Sequence, residues 1–455
     1  MSKVRSTLLL LAIVLLPPAH ALAIAVQVPC ETPSVFSGAA LNVVVLPYSQ
    51  PAALSQADAR VGQQLASLVE LEAMLSVVKF GSVGLVQLVG DQRCTPEAVL
   101  DKLLGRKKGA REQLKPGSAL ILMWGRIFQA GDALYLQSYL QFLRRDTAET
   151  IALTLNGRPL VGRLTSQVLG CPPRKLTLGD IAAINTQFAT ATLLRASPDA
   201  GAAFVPIPEG GGPYSFSITE VRGDWVQLQP MADQQQLPRG WVRARSDDPQ
   251  WPLRRRMPEM GLVEGIGGYL AARVASKPSP GAFDAADAAL AQYLDHWKDG
   301  ALLVAEDAAG SGMALAVAIP AQLRGFIALL RGELSNSALT AAGAHFTRAA
   351  TVVPFSGDAR NLAAMVRLAL AVSQPAQDQP ARRFVDELMA AVSTEPDNRN
   401  VLTNLGTVFD LALTPKPGGG SRWVLTDSER EDYQRQRDAL RELLRPPTPI
   451  GKPTR

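Results

Sequence analysis

Reactive side chains are scarce in this chain of 455 residues. It carries three histidines (His20, His296 and His345) and three cysteines (Cys30, Cys94 and Cys171). There is no C-x-x-C and no histidine cluster, which removes the usual thiolate and imidazole metal sites. No H-E-x-x-H, G-x-S-x-G or Walker A pattern occurs, and no G-x-G-x-x-G in a strand–turn–helix setting. Ser76-Val77-Val78-Lys79 fits S-x-x-K, but its S-D-N and K-T-G companions are missing, so it reads as a chance match at a helix end. Strong charge of one sign is also lacking: the formal net charge is +5. The basic clusters Arg106-Lys107-Lys108 and Arg254-Arg255-Arg256 sit among Gly or Pro and read as solvated loops with at most a weak pull on anionic polymers. Beyond the N-terminus, apolar runs such as Ala119–Trp124 and Ala314–Pro320 are far shorter than the ~20 residues a membrane helix needs. These absences predict a protein that is not an enzyme, with no catalytic residue, no metal and no cofactor. A pair of carboxylates distant in sequence leaves an unrecognised hydrolase as a minor reading.

What is present starts at the N-terminus. Lys3 and Arg5 precede an apolar run from Leu8 to Leu16, and Ala19-His20-Ala21 follows. That order is a secretory signal, removed after residue 21, with Ala23-Ile24-Ala25 as a second place for cleavage. Cys30 follows Val28-Pro29, which is wrong for lipidation. The chain is therefore expected to be periplasmic or secreted and not to bind nucleic acid. An oxidising compartment suits one disulfide among Cys30, Cys94 and Cys171. Three pairings are open, and a bridge through Cys171 is the favoured one.

Residues 30–175 read as a mixed α/β domain. Asn42–Leu46 is a continuous apolar run of the buried-strand type. A helix follows, capped by Ser55, with Val61, Leu65, Leu68 and Leu75 at helical steps. Val83–Val89 reads as a strand, and Thr95-Pro96 opens a short helix. Ala119–Phe128 and Leu134–Leu143 form a hairpin about Gly131-Asp132. Strand, helix, strand, helix and then a hairpin imply a mixed sheet covered by helices. The stretch GSALILMWGRIFQAGDALYLQSYLQFLRR resembles the hairpin of envelope proteins in the TolB N-terminal, FlgO and CsgG-like group. Val44–Tyr48 resembles that group's opening strand. The resemblance implies an assembly or interaction module.

Residues 188–245 resemble a bacterial SH3-like β-barrel. Leu193–Pro198 matches its opening, Gly210-Gly211-Gly212 its Gly-rich turn, and Gly223-Asp224-Trp225 and Gly240-Trp241-Val242 its closing strands. The resemblance implies a groove lined by Tyr214, Trp225 and Trp241 that takes a protein segment or peptidoglycan peptide. Core burial is the plainer role for both tryptophans. Residues 246–259 read as a Pro-rich linker.

From residue 260 to 414 the sequence is Ala- and Leu-rich with helical spacing. Ala342, Phe346, Ala349 and Pro354 stand four, three and five apart. They resemble the second helix of a tetratricopeptide repeat. Ala391 and Pro396 resemble a second instance, and Leu405-Gly406 the first helix of the next unit. The expected architecture is an α-helical, TPR-like superhelix with a peptide-binding groove. Residues 421–445 read as a charged last helix and 446–455 as a disordered tail. Together these readings predict a multidomain α+β scaffold of the cell envelope. Its repeats would recruit a protein partner and its barrel a peptide or wall ligand. A peptidoglycan-targeting protein and a homo-oligomer are the neighbouring readings.

Overall fold

The structure is a computed structural model and describes residues 23–57, 61–80, 83–89, 94–106, 112–145, 149–177, 179–180, 194–206, 214–223, 225–232, 235–243, 257–275, 280–297, 312–332, 335–373, 381–414, 423 and 425–445. The expected signal segment, nearly all of the linker and the tail lie outside these residues. The chain folds as two compact units. One takes residues 1–114, 124–136 and 175–260, the other 115–123, 137–174 and 261–455.

The first unit is built on strands β1 (Ala23–Pro29), β2 (Leu41–Ser49) and β3 (Val83–Val89). β3 lies between the other two and is parallel to both. Parallel neighbours need a long crossover, which helices α1 (Ala52–Ala57) and α2 (Val61–Val77) supply between β2 and β3. Ser55 lies inside α1 rather than capping a single helix, and its hydroxyl bonds back to Pro51 O. α2 buries Leu65, Leu68 and Val69 and packs closely on the sheet. At Gly62 a Cβ would overlap the carbonyl oxygen of Tyr48. A polar seam runs through this packing: Gln87, fully buried, accepts from Ser67 at 2.8 Å and from Gln27 at 2.9 Å. Glu70 is buried beside it, and burial holds its carboxyl well above the usual carboxylate range. The Ser76 hydroxyl of the S-x-x-K match donates to Glu72 O at 2.8 Å inside the helix. Thr95 caps α3 (Pro96–Leu103) by accepting from Ala98 N.

Strands β10 (Tyr214–Arg222), β11 (Trp225–Ala232), β12 (Gln235–Gln236) and β13 (Gly240–Arg243) form an antiparallel set. They were expected to stand apart. Instead β10 pairs with β1, Ala25 opposite Phe216, so the ladder runs on in the order β12-β11-β10-β1-β3-β2. The reason is that β1 still has an unpaired edge after joining β3, and backbone pairing fills it.

The disulfide is also a correction: it joins Cys30 and Cys94, and Cys171 lies buried outside it. β1 and β3 run parallel and end side by side, with Cys30 N donating to Val89 O at 3.0 Å. Cys30 follows β1 directly and Cys94 comes five residues after the end of β3, so both lie past the same end of the paired strands. Cys171 lies in the other unit, where its N–H bonds Ser138 O.

β4 (Ala119–Ala130) and β5 (Ala133–Arg144) form the expected hairpin, turning at Gly131 with φ +59°. In the second unit, β6 (Glu149–Leu155) and β7 (Arg158–Leu164) make a separate two-stranded antiparallel ribbon. Asn156 (φ 50°) and Gly157 (φ 75°) form its turn, where two positive φ angles in sequence match the ribbon's twist. β8 (Leu169–Gly170) pairs with β5, and the short strand β9 (Arg174–Leu176) follows it in the chain. The helices are α4 (Glu259–Val274), α5 (Pro280–His296), α6 (Leu315–Arg331), α7 (Asn336–Val352), α8 (Gly357–Ser373), α9 (Ala381–Thr394), α10 (Arg399–Leu413) and α11 (Asp427–Leu444). α6, α8 and α10 begin at Leu315, Gly357 and Arg399, 42 residues apart each time. Each is followed by a helix that packs against it, and successive pairs pack on one another in sequence order. Gly325 permits a close crossing: a Cβ there would overlap the ring of Phe346, which meets Phe326 edge-on at 5.9 Å. A capping box at Thr426 and Glu429 starts α11.

Candidate functional site

The richest polar constellation lies where the ribbon β6–β7 rests on α8 and α10. The ribbon's alternation puts Ile151 and Leu153 of β6 and Leu160, Gly162 and Leu164 of β7 on one buried face. At Gly162 a Cβ would overlap Leu362 Cδ2 of α8, so glycine allows the strand to approach the helix closely.

Two asparagines, one on each helix, then take hold of the strand's backbone. Asn404 accepts from Val161 N at 2.7 Å and donates to Val161 O at 2.9 Å. Asn361 donates to the same carbonyl at 2.9 Å, and its own oxygen accepts from Asn404 at 2.7 Å. Both side chains have no solvent exposure. Thr407, one turn further along α10, donates to Pro159 O at 2.8 Å. The outer edge of β7 is thus closed by side chains instead of a third strand. A side-chain amide carries the same donor and acceptor as a peptide group, so it can replace one rung of a ladder.

Charge fixes the two ends. Arg158 pairs with Asp410 of α10, which also receives Arg441 at 2.8 Å. Arg163 donates to Asp358 of α8 at 3.1 Å, and Thr165 donates to the same oxygen at 2.6 Å. Asp358 is buried, and its second oxygen accepts from Asn398, the N-cap of α10, at 2.6 Å. Glu395 accepts from Asn398 and from Gly357 N, joining the starts of α8 and α10. A cleft of about 560 Å³ opens beside Arg163, Glu395 and Asn398.

A second buried cluster sits where β5, β6 and α4 meet. Glu149 faces Arg144 at 3.1 Å and Arg273 at 3.4 Å and accepts from Tyr269 Oη at 2.5 Å. Burial first, and the Glu149 charge second, push the Tyr269 hydroxyl well above its ordinary pKa. Its ring is fully buried, which suits a structural clamp.

The residues expected to act lie elsewhere. Trp241 is only 4% exposed, and the Arg222 guanidinium sits 5.1 Å from its ring centre, so it is core rather than groove lining. Trp225 is half-buried at the start of β11, opposite Arg243. Tyr214 begins β10, and its side chain lies outside the described residues. Ala342, Phe346, Ala349 and Ala391 are fully buried between helices, and Leu405 nearly so. Pro354 and Pro396 are exposed in the turns before α8 and α10. Gly406 is a further correction: nothing comes within 4 Å of a Cβ built there, so it is not a crossing point, and Gly325 has that role. His345 is half-buried, and burial followed by Arg324 lowers its pKa. Among the described residues no group of His, Cys, Asp and Glu is placed to hold a metal ion, and no helix is long and apolar enough to cross a membrane.

Sequence reading passed over Asn361 and Asn404, although a signal was there. Asn361-Leu362-Ala363 and Asn404-Leu405-Gly406 repeat the order Asn, Leu, small residue 43 positions apart, each Asn on an otherwise apolar helix face. No protein-family model matches the chain, and neither the curated proteins nor the solved structures include one similar to it.

Proposed function

We propose that this is a non-enzymatic binding or scaffold protein of the bacterial cell envelope, exported by its N-terminal signal. In this reading its helical repeats recruit a protein partner. One observation carries it: the first helices of two successive pairs grip an extended strand by its backbone, through Asn361 and Asn404 on Val161. Backbone-directed amides suit extended protein segments and do no chemistry on a substrate. The inner place is taken by the chain's own β7, which leaves the partner the outer surfaces of the stack. In the helical half Phe355 and Met389 stand 56% and 43% exposed. Photo-crosslinking residues placed at Phe355 and at Met389 in cells are expected to give a discrete protein adduct. No adduct from either position counts against the reading.

The SH3-like resemblance of 188–245 supports a second contact, to a peptide or wall ligand. Because β10 pairs with β1, the test needs the full chain rather than the excised segment. Sedimentation with purified sacculi should carry the protein down if the wall is its target, and a protein left in the supernatant removes that role.

A further inference from the structure

The ribbon β6–β7 has two edges, and the structure treats them differently. Val161 turns both its N–H and its C=O toward Asn361 and Asn404, away from β6. In an antiparallel pair, a residue that points away from its neighbour faces one that does the same. The residue opposite Val161 is Ala152. The N–H and C=O of Ala152, and of Thr150 and Thr154 two residues to either side, therefore point outward from the far edge of β6. Among the described residues nothing bonds to these groups, and β6 has no strand partner other than β7. Thr150, Ala152 and Thr154 are also exposed.

Exposed edges are normally guarded by a lysine, a proline or a bulge, because an open ladder recruits other strands. Among the described residues this one has no guard. Its outward residues are uncharged, and its only acid, Glu149, is buried against Arg144 and Arg273. The segment Thr150-Ile151-Ala152-Leu153-Thr154 also reads alike in both directions about Ala152, with Thr outward at each end and a branched aliphatic inward on each side.

We propose that β6 is a self-association edge: two copies of this chain join β6 to β6 antiparallel about a two-fold axis at Ala152. A two-fold interface demands a self-complementary surface, and the strand's own sequence provides one. Thr150 of each copy faces Thr154 of the other, a favourable cross-strand pair, and Ala152 faces its own equivalent. Three such pairs exchange about six backbone hydrogen bonds. They turn two two-stranded ribbons into one four-stranded sheet, backed by both helical stacks. The absence of edge charge gives a partner of opposite charge nothing to recognise, which favours the second copy over an acidic or basic peptide. The argument uses the second unit alone and stands whether or not the repeats recruit another protein.

The test is Ala152→Pro in the full chain. Proline removes an N–H that the β6–β7 ladder does not use, so the ribbon keeps its internal bonds while the edge loses its central donor. Ala152→Lys adds an edge guard by a different route, and circular dichroism with thermal melting shows that each variant is folded. Light scattering behind size-exclusion chromatography should give the wild type twice the monomer mass at tens of micromolar, and both folded variants the monomer mass. A monomeric wild type overturns the proposal, as does a dimer that both folded variants leave intact. A monomeric wild type that binds a labelled ETIALTL peptide assigns the edge to another chain's strand, and that also overturns self-association.

Discussion

Asn404 shows how much one side chain can carry when it is buried. It makes three hydrogen bonds, two to Val161 and one to Asn361, with no exposure to water. Truncation to alanine leaves a buried N–H without a partner and weakens the hold on a carbonyl, at ~1–3 kcal/mol for each stranded group. Asn404→Ala is therefore expected to lower stability by about 3 kcal/mol in chemical denaturation. A loss near zero would mean the ribbon is held by its apolar face alone. Glu70 makes the opposite case. Its folded pKa is raised by burial above the unfolded value of 4.5. The stability it allows is fully present below that value, where both states are protonated. It is lost as pH rises toward and through the folded pKa, because only the unfolded state ionises readily. Glu70→Gln should thus stabilise the protein at neutral pH and flatten the rise in melting temperature that the wild type shows on acidification. Melting curves from pH 4 to pH 8 would reveal it, and parallel profiles for the two proteins would argue against it.

Elements show where local pattern was sufficient and where it was not. α3 was readable from its cap, Thr95 with Pro96, and α11 from its run of charged residues, while the pairing of Thr426 with Glu429 emerged only in the structure. The 42-residue spacing of α6, α8 and α10 was half visible, in the interval between Pro354 and Pro396. The ribbon was harder. β7 reads RPLVGRL, with too little alternation and a central glycine to suggest a strand from sequence. That glycine has its explanation outside the strand, in Leu362 of α8. Gly162→Val would gain β-propensity and should still destabilise, by ~1–3 kcal/mol for overpacking, because the helix cannot retreat without dragging Asn361 from Val161. Denaturant unfolding of this variant measures it, and a more stable G162V would show that the close approach does not matter.

For the whole molecule, the covalent link and the continuous ladder of the first unit act together. The Cys30–Cys94 bridge closes a separation of 64 residues that contains β2, α2 and β3. It thereby holds β1 next to β3 while β1 also pairs with β10. Chain-entropy arguments give a loop of this length ~4 kcal/mol of stabilisation. Replacing both cysteines with serine is expected to reduce unfolding free energy by roughly that amount and to loosen the pairing of β1 with β10. Hydrogen exchange at Ser217 and Ile218 would report it, and unchanged protection there would show that β1 is held without the bridge.

What the sequence determined by itself was local and periodic: mixed α/β content, helices in the last third, their caps, the β4–β5 turn, and the shortage of reactive groups. Each depends on residues a few positions apart. Tertiary structure decided which strands became neighbours, which cysteines met and which face of the helices held β7. Those outcomes join Ala25 to Phe216, Cys30 to Cys94 and Val161 to Asn404. Hydrogen bonding and burial are short-ranged in space and indifferent to distance along the chain, so such partners appear only once the whole fold has brought them together.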